Sequence, residues 1–323
     1  MDLVQELFEI FKRNFPFVVR DRETALEILN HEGNTTLEER DEQDALIGAA
    51  VVNRSTILML CVDEKHRRRG IGSRLLARAE EAIRAGGFGQ INVGNGFNYL
   101  APGVPTAKRY FEAENEKLYP GLDETASDFF MKRGYVHSWE CNCFDMRFPL
   151  SEFEKSVAGK GIVGKGSGLL QSGSEKGDSF EHCIDGITYR LATLGDRDAV
   201  CACTDDAYQE FTEYYRADAP YREGNSTRVL IAVSEDEVVG TLFTGVEDEE
   251  KSLGSVGCTT VRPSWRGRHI AVNLVAIGTK YLKDIGLQEA YLSYTYTGLD
   301  HMYGYAGYKI CVYFMMAVKN TGG

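Results

Sequence analysis

Hydrophobic residues change their spacing along the first 150 positions. Segments at 35–39, 46–52 and 57–62 have the length and composition of strands, and the last is apolar throughout, which predicts a buried strand. The next apolar residues recur at helical spacing, at Leu75, Leu76, Ala79 and Ile83. A strand at 90–94 follows. The pattern therefore predicts strands followed by a strand–loop–helix–strand crossover.

Shorter patterns complete this half of the chain. Helices are predicted near 3–11 and 25–29, and another near 129–130. One or two strands within 136–148 then close the predicted domain.

The second half repeats this order of elements. Strands are predicted at 228–233, 238–243 and 255–261, before a helix at 272–285. A strand at 289–296, a short helix around 301–303 and a final apolar strand at 310–318 follow. The sequence therefore contains the same plan twice.

One segment between the halves differs sharply in composition. Between Ser156 and Ser179 the chain has seven glycines, several Ser and Lys, and few apolar residues. Such a segment buries little surface, so it is typical of a linker or a long exposed loop. At 323 residues the chain is long enough for two domains. We expect an N-terminal domain at 1–153, a linker at 154–180 and a C-terminal domain at 181–323.

Composition narrows the classes of partner. A net charge of −12, from 36 basic and 48 acidic residues, argues against nucleic-acid binding, which depends on neutralising phosphates. No apolar stretch approaches the ~20 residues of a membrane helix, and the N-terminus does not resemble a signal peptide. The eight cysteines include the pairs Cys141/Cys143 and Cys201/Cys203, which strand alternation would place on one face, but zinc-ligand spacing is missing. We therefore expect a cytoplasmic protein with reduced cysteines, no metal, and no membrane or nucleic-acid partner.

An arginine- and glycine-rich turn joins the strand at 57–62 to the following helix. It runs from Arg67 to Gly72. Helix N-termini leave backbone N–H groups unpaired and carry partial positive charge, and glycines let an anion approach closely. The dinucleotide-binding fingerprint would need a third glycine at Leu75, and no P-loop string occurs. The turn predicts a pyrophosphate-binding site, with a plain basic surface turn as the alternative.

The string R-x-x-G-x-G at Arg67, Gly70 and Gly72 resembles the acetyl-CoA loop of the GNAT superfamily of N-acetyltransferases. Both halves have that family's element order. The resemblance implies an α/β (α+β) fold with two tandem GNAT domains, each a mixed, mostly antiparallel twisted sheet flanked by helices. It also implies acetyl-CoA as co-substrate, with the thioester carbonyl polarised by a backbone N–H near Cys61 or Val62. The residues expected to bind acetyl-CoA are Cys61, Val62, Arg67, Arg68, Arg69, Gly70, Ile71, Gly72 and Ser73.

The corresponding loop of the second half departs from the family pattern. Arg266 and Ala271 stand at the positions of Arg67 and Gly72 in the first loop, but His269 replaces the central glycine. A side chain there would occupy space that the pyrophosphate needs, and positive φ is costly for a residue other than glycine. We therefore expect acetyl-CoA to bind in the first half only.

The family also uses a tyrosine on a short helix to protonate the leaving CoA thiolate. The resemblance places this residue at Tyr303, four residues before Gly307, with core packing as the alternative role. The matching residue of the first half is Phe130, before Gly134. Three interpretations stay open for that half. Tyr99 or a water donates the proton, the thiolate leaves unprotonated, or CoA binds without turnover.

An insertion at 94–105 follows the strand at 90–94. Asn95, Asn98 and Tyr99 are the predicted acceptor-binding residues, because amide and hydroxyl groups could hydrogen-bond a polyol or sugar. An exposed excursion is the alternative. The next acidic residues, Glu112, Glu114 and Glu116, either attract a cationic amine or form a solvated helix face.

The function predicted is acetyl transfer to the amine of a small polar acceptor, by direct attack. Acetylation of a protein lysine or N-terminus, and a non-catalytic acyl-CoA sensor, are the alternatives. The general base is unassigned, because the strand before the loop contains no Glu and Asp63 and Glu64 come one or two residues after it.

Overall fold

The computed structural model describes residues 2–94, 99–156, 159, 180–248 and 252–322. These fall into two compact units, each made of separate chain segments. Unit 1 comprises Met1–Glu112, Leu118–Phe144 and Cys311–Gly323, and unit 2 comprises Ala113–Lys117 and Asp145–Ile310. The units therefore do not follow the expected bounds of 1–153 and 181–323, and the expected linker lies mostly outside the described residues.

The elements are numbered along the chain. The helices are α1 (Leu3–Asn14), α2 (Arg22–Leu29), α3 (Ile71–Ala85), α4 (Thr125–Met131), α5 (Arg197–Ala207), α6 (Thr212–Tyr215), α7 (Ile270–Asp284) and α8 (Asp300–Ala306). The strands are β1 (Asn34–Arg40), β2 (Leu46–Asn53), β3 (Thr56–Val62), β4 (Gln90–Val93), β5 (Val104–Thr106), β6 (Val136–His137), β7 (Cys143–Pro149), β8 (Glu181–Ile184), β9 (Ile187–Leu191), β10 (Thr227–Ser234), β11 (Glu237–Asp248), β12 (Leu253–Val261), β13 (Glu289–Tyr296), β14 (Lys309–Met315) and β15 (Ala317–Asn320). The expectation of mixed sheets flanked by helices is confirmed.

Unit 1 is built on a six-stranded sheet in the order β1-β2-β3-β4-β15-β6. Strand β2 is buried on both faces because helices cover both. Ala50 and Val52 pack with the apolar face of α3, whereas Ala49 and Val51 pack with the apolar residues of α1. Successive side chains of a strand point to opposite faces of the sheet, which explains why neighbouring residues of β2 pack against different helices. The sheet thus holds the N-terminus of α3 at the end of β3.

The last strand of the chain completes the sheet of unit 1. The expected strand at 310–318 is interrupted at Met316, and β15 pairs antiparallel with β4 and β6, so that Ala317 lies opposite both Val93 and His137. The expectation that 136–148 closes the first domain is wrong beyond β6, because β7 lies beside β13 and belongs to unit 2 from Asp145 onward. Both segments are apolar and of strand length, so their pattern does not specify which sheet they join.

A buried carboxylate ties β15 to α3. Glu80 is 8% exposed and accepts hydrogen bonds from Lys319 Nζ at 2.9 Å, Arg84 Nη2 at 2.8 Å and the Tyr135 hydroxyl at 3.1 Å. Burial and the Glu80 charge raise the pKa of Tyr135, which keeps its hydroxyl a donor. Removing one partner from a buried charged pair is strongly destabilising. Lys319 therefore fixes the register of β15.

His137 joins the C-terminal segment to β6 through a neutral ring. Its Nδ1 accepts the N–H of Met316 at 3.0 Å, and its Nε2 lies 2.8 Å from the carbonyl oxygen of Cys141. This pairing requires the proton on Nε2 and none on Nδ1. Burial lowers the pKa of His137 from its ordinary value of 6.5, because the charged ring is poorly solvated.

We expect acidification below pH 6.5 to lower the free energy of unfolding. Because the folded pKa of His137 lies below its unfolded value, its contribution is complete above pH 6.5 and is lost as pH falls through the folded pKa. The slope from one proton is at most about 1.4 kcal/mol per pH unit. Urea unfolding between about pH 5 and about pH 7 measures how the free energy of unfolding depends on pH. We expect His137→Asn to remove the contribution of His137 to this pH dependence. An unchanged pH dependence in that variant would assign it to other titratable groups.

The second sheet has nine strands in the order β5-β14-β7-β13-β12-β11-β10-β9-β8, and unit 2 is built on its part from β7 to β8. Strands β12 and β13 are parallel and α7 connects them, whereas β9 to β12 are antiparallel. The sequence patterns did not predict β8, β9 or α5. Cys201 and Cys203 lie on helix α5, not on a strand, so they do not share a face. Among the described residues, none of the helices has the length and apolar character that crossing a membrane requires.

Candidate active site

The arginine- and glycine-rich turn of unit 1 lies between β3 and α3. One 3-10 turn, Glu64–His66, leads to Gly70, which has φ 79° and precedes the first residue of the helix. Arg67 donates from Nε to the carbonyl of Val62 at 3.0 Å and from Nη2 to Asn14 Oδ1 at 2.7 Å. Arg67 therefore fixes the turn to the end of β3 and to α1.

The N-terminus of α3 has unpaired backbone donors. Gly70 provides no capping side chain, and the first turn contains no acidic residue. In contrast, Asp2 caps α1 and Asp21 caps α2 through their carboxylates. The first N–H groups of α3, on Ile71, Gly72 and Ser73, therefore remain available to an anion.

The basic groups around this turn have different roles. Arg68 and Arg69 are exposed beside the helix N-terminus. Arg74 instead pairs with Glu39 at 2.7 Å, and this hydrogen bond lowers the pKa of Glu39. A further basic residue, which the sequence analysis missed, is Arg133. It donates to Ser73 Oγ at 2.8 Å and lies over the Phe129 ring. The only sequence signal for it was its position beside Gly134.

Strand β3 extends past the end of β4 towards this turn. The two strands pair at Thr56 and Ile57, β4 ends at Val93, and β3 continues to Val62. Asp63 N donates to Ile47 O at 2.9 Å, so by alternation the N–H groups of Leu60 and Val62 point away from β2. These donors therefore lie on the β4 side of β3, where the resemblance places the thioester carbonyl. Burial raises the pKa of the Cys61 thiol to about 12, and by the same alternation the Cys61 N–H points towards β2, so the expectation that Cys61 contacts the thioester is not supported.

Unit 2 repeats the turn with the same backbone conformation. Arg266 donates to the carbonyl of Val261 and to that of Ala207, each at 3.3 Å, as Arg67 does to Val62 and Asn14. His269 takes the left-handed conformation of Gly70, with φ 59° and ψ 13°. His269 thus adopts a left-handed backbone conformation, although this conformation costs a residue other than glycine about 1 kcal/mol. Its side chain is exposed.

Tyr303 lies on α8, beside the separated part of β12. It is buried, and burial raises its pKa to about 12, while interaction with Thr259 lowers it. The hydroxyl therefore stays protonated at neutral pH, as a proton donor requires. Phe130, its counterpart in unit 1, packs against Phe129 and Tyr135. The roles of these residues stay predictions.

The expected acceptor residues of unit 1 are described only in part. Asn95 and Asn98 lie outside the described residues. Tyr99 is 9% exposed, and the Arg20 guanidinium lies 4.4 Å from its ring centroid. Glu112, Glu114 and Glu116 do not form the helix face considered above, because this segment is irregular and Glu116 forms a β-bridge with Ile310.

Family comparisons match both halves of the chain. Residues 32–137 match the acetyltransferase (GNAT) domain, and residues 197–308 match the acetyltransferase (GNAT) family. The two matches together span more than half of the sequence. No curated protein sequence matches the chain.

Solved structures show the same architecture at low sequence identity. The glucosamine N-acetyltransferase region of a fungal multi-domain β-N-acetylglucosaminidase has a TM-score of 0.67 at 16% identity; the match covers 98% of this chain and 37% of that one. A tandem GNAT protein from the clavulanic acid biosynthesis pathway has a TM-score of 0.64 at 15% identity, covering 99% and 95%. A GCN5-related N-acetyltransferase from Sphaerobacter thermophilus has a TM-score of 0.64 at 17% identity, covering 98% and 92%. At these identities the likeness shows the fold.

Proposed function

This chain belongs to the GNAT acetyltransferases, with two such domains in tandem, and we propose that it moves an acetyl group from acetyl-CoA to the amine of a small polar molecule. The observation that carries the proposal is the open N-terminus of α3. Three N–H groups without a side-chain cap, exposed Arg68 and Arg69, and Gly70 at positive φ form a cradle for a pyrophosphate.

The part of β3 beyond its pairing with β4 is proposed to meet the second requirement of the reaction, which is polarisation of the thioester carbonyl. In the proposed complex, the N–H of Leu60 or Val62 donates to the thioester oxygen, where negative charge develops as the amine attacks. The amine must first lose its proton, and no residue is assigned as its base. Positioning of the neutral amine beside the carbonyl then supplies much of the rate.

The acceptor proposed is a small amine, with Asn95, Asn98 and Tyr99 as contacts. Support comes from the structurally similar glucosamine N-acetyltransferase region, which is named for a small amino sugar. Protein lysine acetylation is the second enzymatic candidate. We further propose residence in the cytoplasm, which the free cysteines support.

Release of CoA thiol from acetyl-CoA in the presence of amines tests the proposed function. We expect faster release with glucosamine or another small amine than with a lysine-containing peptide. If the protein binds acetyl-CoA but releases no CoA thiol with any of the amines tested, the result would instead indicate a non-catalytic sensor. A preference for the peptide would indicate protein acetylation.

Because His269 adopts the conformation of Gly70 with its side chain exposed, we propose that unit 2 also binds acetyl-CoA, more weakly than unit 1, against the expectation of binding in the first half only. Tyr303 is the proposed proton donor of this second centre. In the Gly70→Glu background, at millimolar acetyl-CoA, we expect Tyr303→Phe to lower kcat about 100-fold, because general-acid catalysis is lost. Tyr308→Phe is the matched control, since this buried hydroxyl bonds to Thr279 Oγ1 at 3.1 Å. Equal decreases in kcat for Tyr303→Phe and Tyr308→Phe would show that Tyr303 contributes through packing and not as a proton donor.

A further inference from the structure

Strands β12 and β13 separate within unit 2 and leave an opening. They pair only from Leu253 to Ser255, although β12 continues to Val261 and β13 to Tyr296. A bulge distorts β12 in its separated part, where Cys258 has φ 48° and its carbonyl accepts the Tyr215 hydroxyl at 2.8 Å. The distortion places Cys258 beside the opening.

Aromatic side chains from α6, β13, α8 and the turn after α5 belong to this region. The tyrosine cluster, as we name it, comprises Tyr208, Phe211, Tyr214, Tyr296 and Tyr303. The ring centroids of Tyr208 and Phe211 are 4.7 Å apart, and the ring centroids of Phe211 and Tyr214 are 6.4 Å apart. Tyr215, which follows Tyr214 in α6, donates its hydroxyl to the carbonyl oxygen of Cys258, and Tyr303 of α8 interacts with the adjacent Thr259. Both helices therefore lie at the same bulge of β12.

The outer part of the cluster is unusually exposed for aromatic residues. Tyr208, Tyr214 and Tyr296 are 48%, 41% and 46% exposed. Large exposed side chains that converge on one place, rather than lying scattered, are typical of a binding surface. The buried Tyr303 hydroxyl at its base adds a polar group, which agrees with a small-molecule site.

One carboxylate belongs to this surface. Glu210 Oε2 accepts the Tyr208 hydroxyl at 2.7 Å, and the Glu210 charge contributes to the raised pKa of Tyr214. The neighbouring acid Glu213 is instead paired with Arg216 at 3.0 Å. A carboxylate beside tyrosine faces favours a cation, through charge and through cation–π attraction.

We propose that the tyrosine cluster and Glu210 bind a primary amine carried on a ring, with the ammonium at Glu210 and the ring against the tyrosine faces. Aromatic faces stack on flat aromatic rings and on the apolar face of sugars, so both kinds of amine share this chemistry. The proposal rests on Tyr303 marking a second centre, and it gives that centre an acceptor class.

Titration of the full chain with ring amines, without acetyl-CoA, tests this site. Tyramine represents the aromatic amines, glucosamine the amino sugars, and ethanolamine is the ring-free comparison. We expect one ring amine to bind more tightly than ethanolamine, and the tighter ring amine identifies the kind of ring. Because acetyl-CoA is left out of this titration, an absence of amine binding can be distinguished from a loss of acetyl-CoA binding at Gly70.

Matched variants locate the binding. We expect Tyr214→Ala and Glu210→Gln each to weaken binding of the tighter amine at least about tenfold. Tyr305→Ala should leave it within about twofold, because Tyr305 is equally exposed but lies on the opposite face of α8 from Tyr303. Glu213→Gln is the control for charge. Equal weakening by the control variants, or no preference for a ring, would overturn the proposal.

Discussion

Gly70→Glu is expected to abolish acetyl-CoA binding in unit 1, raising its Kd at least about 100-fold. Gly70 precedes the first turn of α3, where the unpaired N–H groups lie. A carboxylate there repels the pyrophosphate and competes with it for the same donors. Calorimetric titration with acetyl-CoA gives both the affinity and the number of sites per chain, and we expect one high-affinity site to be lost.

The second turn provides a control with the same backbone strain. Gly267 also has φ 79°, is exposed, and would place a Cβ in open space. Gly267→Glu therefore introduces the same side chain at the same φ angle, and we expect the Kd of the high-affinity site to stay within about threefold. Equal losses from both substitutions would contradict a single high-affinity site in unit 1.

Removal of residues 317–323 is expected to destabilise unit 1 by about 5 kcal/mol. The truncation deletes β15, which lies between β4 and β6, and removes the partners of the backbone groups that face it on both strands. Each lost hydrogen bond costs about 1 kcal/mol, and unpaired buried groups cost more. Glu80 also loses Lys319 while remaining buried.

Hydrogen exchange resolved to peptides measures this loss. We expect faster exchange in β4 and α3, and little change in β10 and β11, which belong to unit 2. A chain lacking only Gly322 and Gly323 is the control, because it keeps Thr321, whose N–H bonds to Gly89 O at 3.0 Å. Unchanged protection in β4 after removal of 317–323 would show that β15 contributes little.

The sequence predicted local elements far better than their partners. The strands at 57–62 and 255–261 and their following helices were found, because each combines an apolar run with a clear change of period. The shared turn was found because glycine and arginine spacing is a local property. The placement of β7 and β15 was missed, since sheet membership depends on contacts between residues far apart in sequence.

The candidate sites show the same limit. Gly70 and Arg67 could be selected from one short string, whereas the tyrosine cluster draws on positions 208 to 303. Its residues come from α6, β13, α8 and the turn after α5, with spacings that match no motif. Arg133 was missed for a similar reason, because only the fold brings it to Ser73. His269 was identified, but its left-handed backbone could not be inferred from its residue type.

The position of β15 also determines when unit 1 can be completed during synthesis. Every other strand of its sheet leaves the ribosome before residues 317–320, and β4 and β6 have no direct pairing across the gap that β15 fills. Until those residues emerge, the nascent chain presents two open strand edges for a period set by translation of nearly all of unit 2. Such edges pair readily with other chains. Slow translation of unit 2 therefore prolongs the exposure of these edges in the half that is synthesised first.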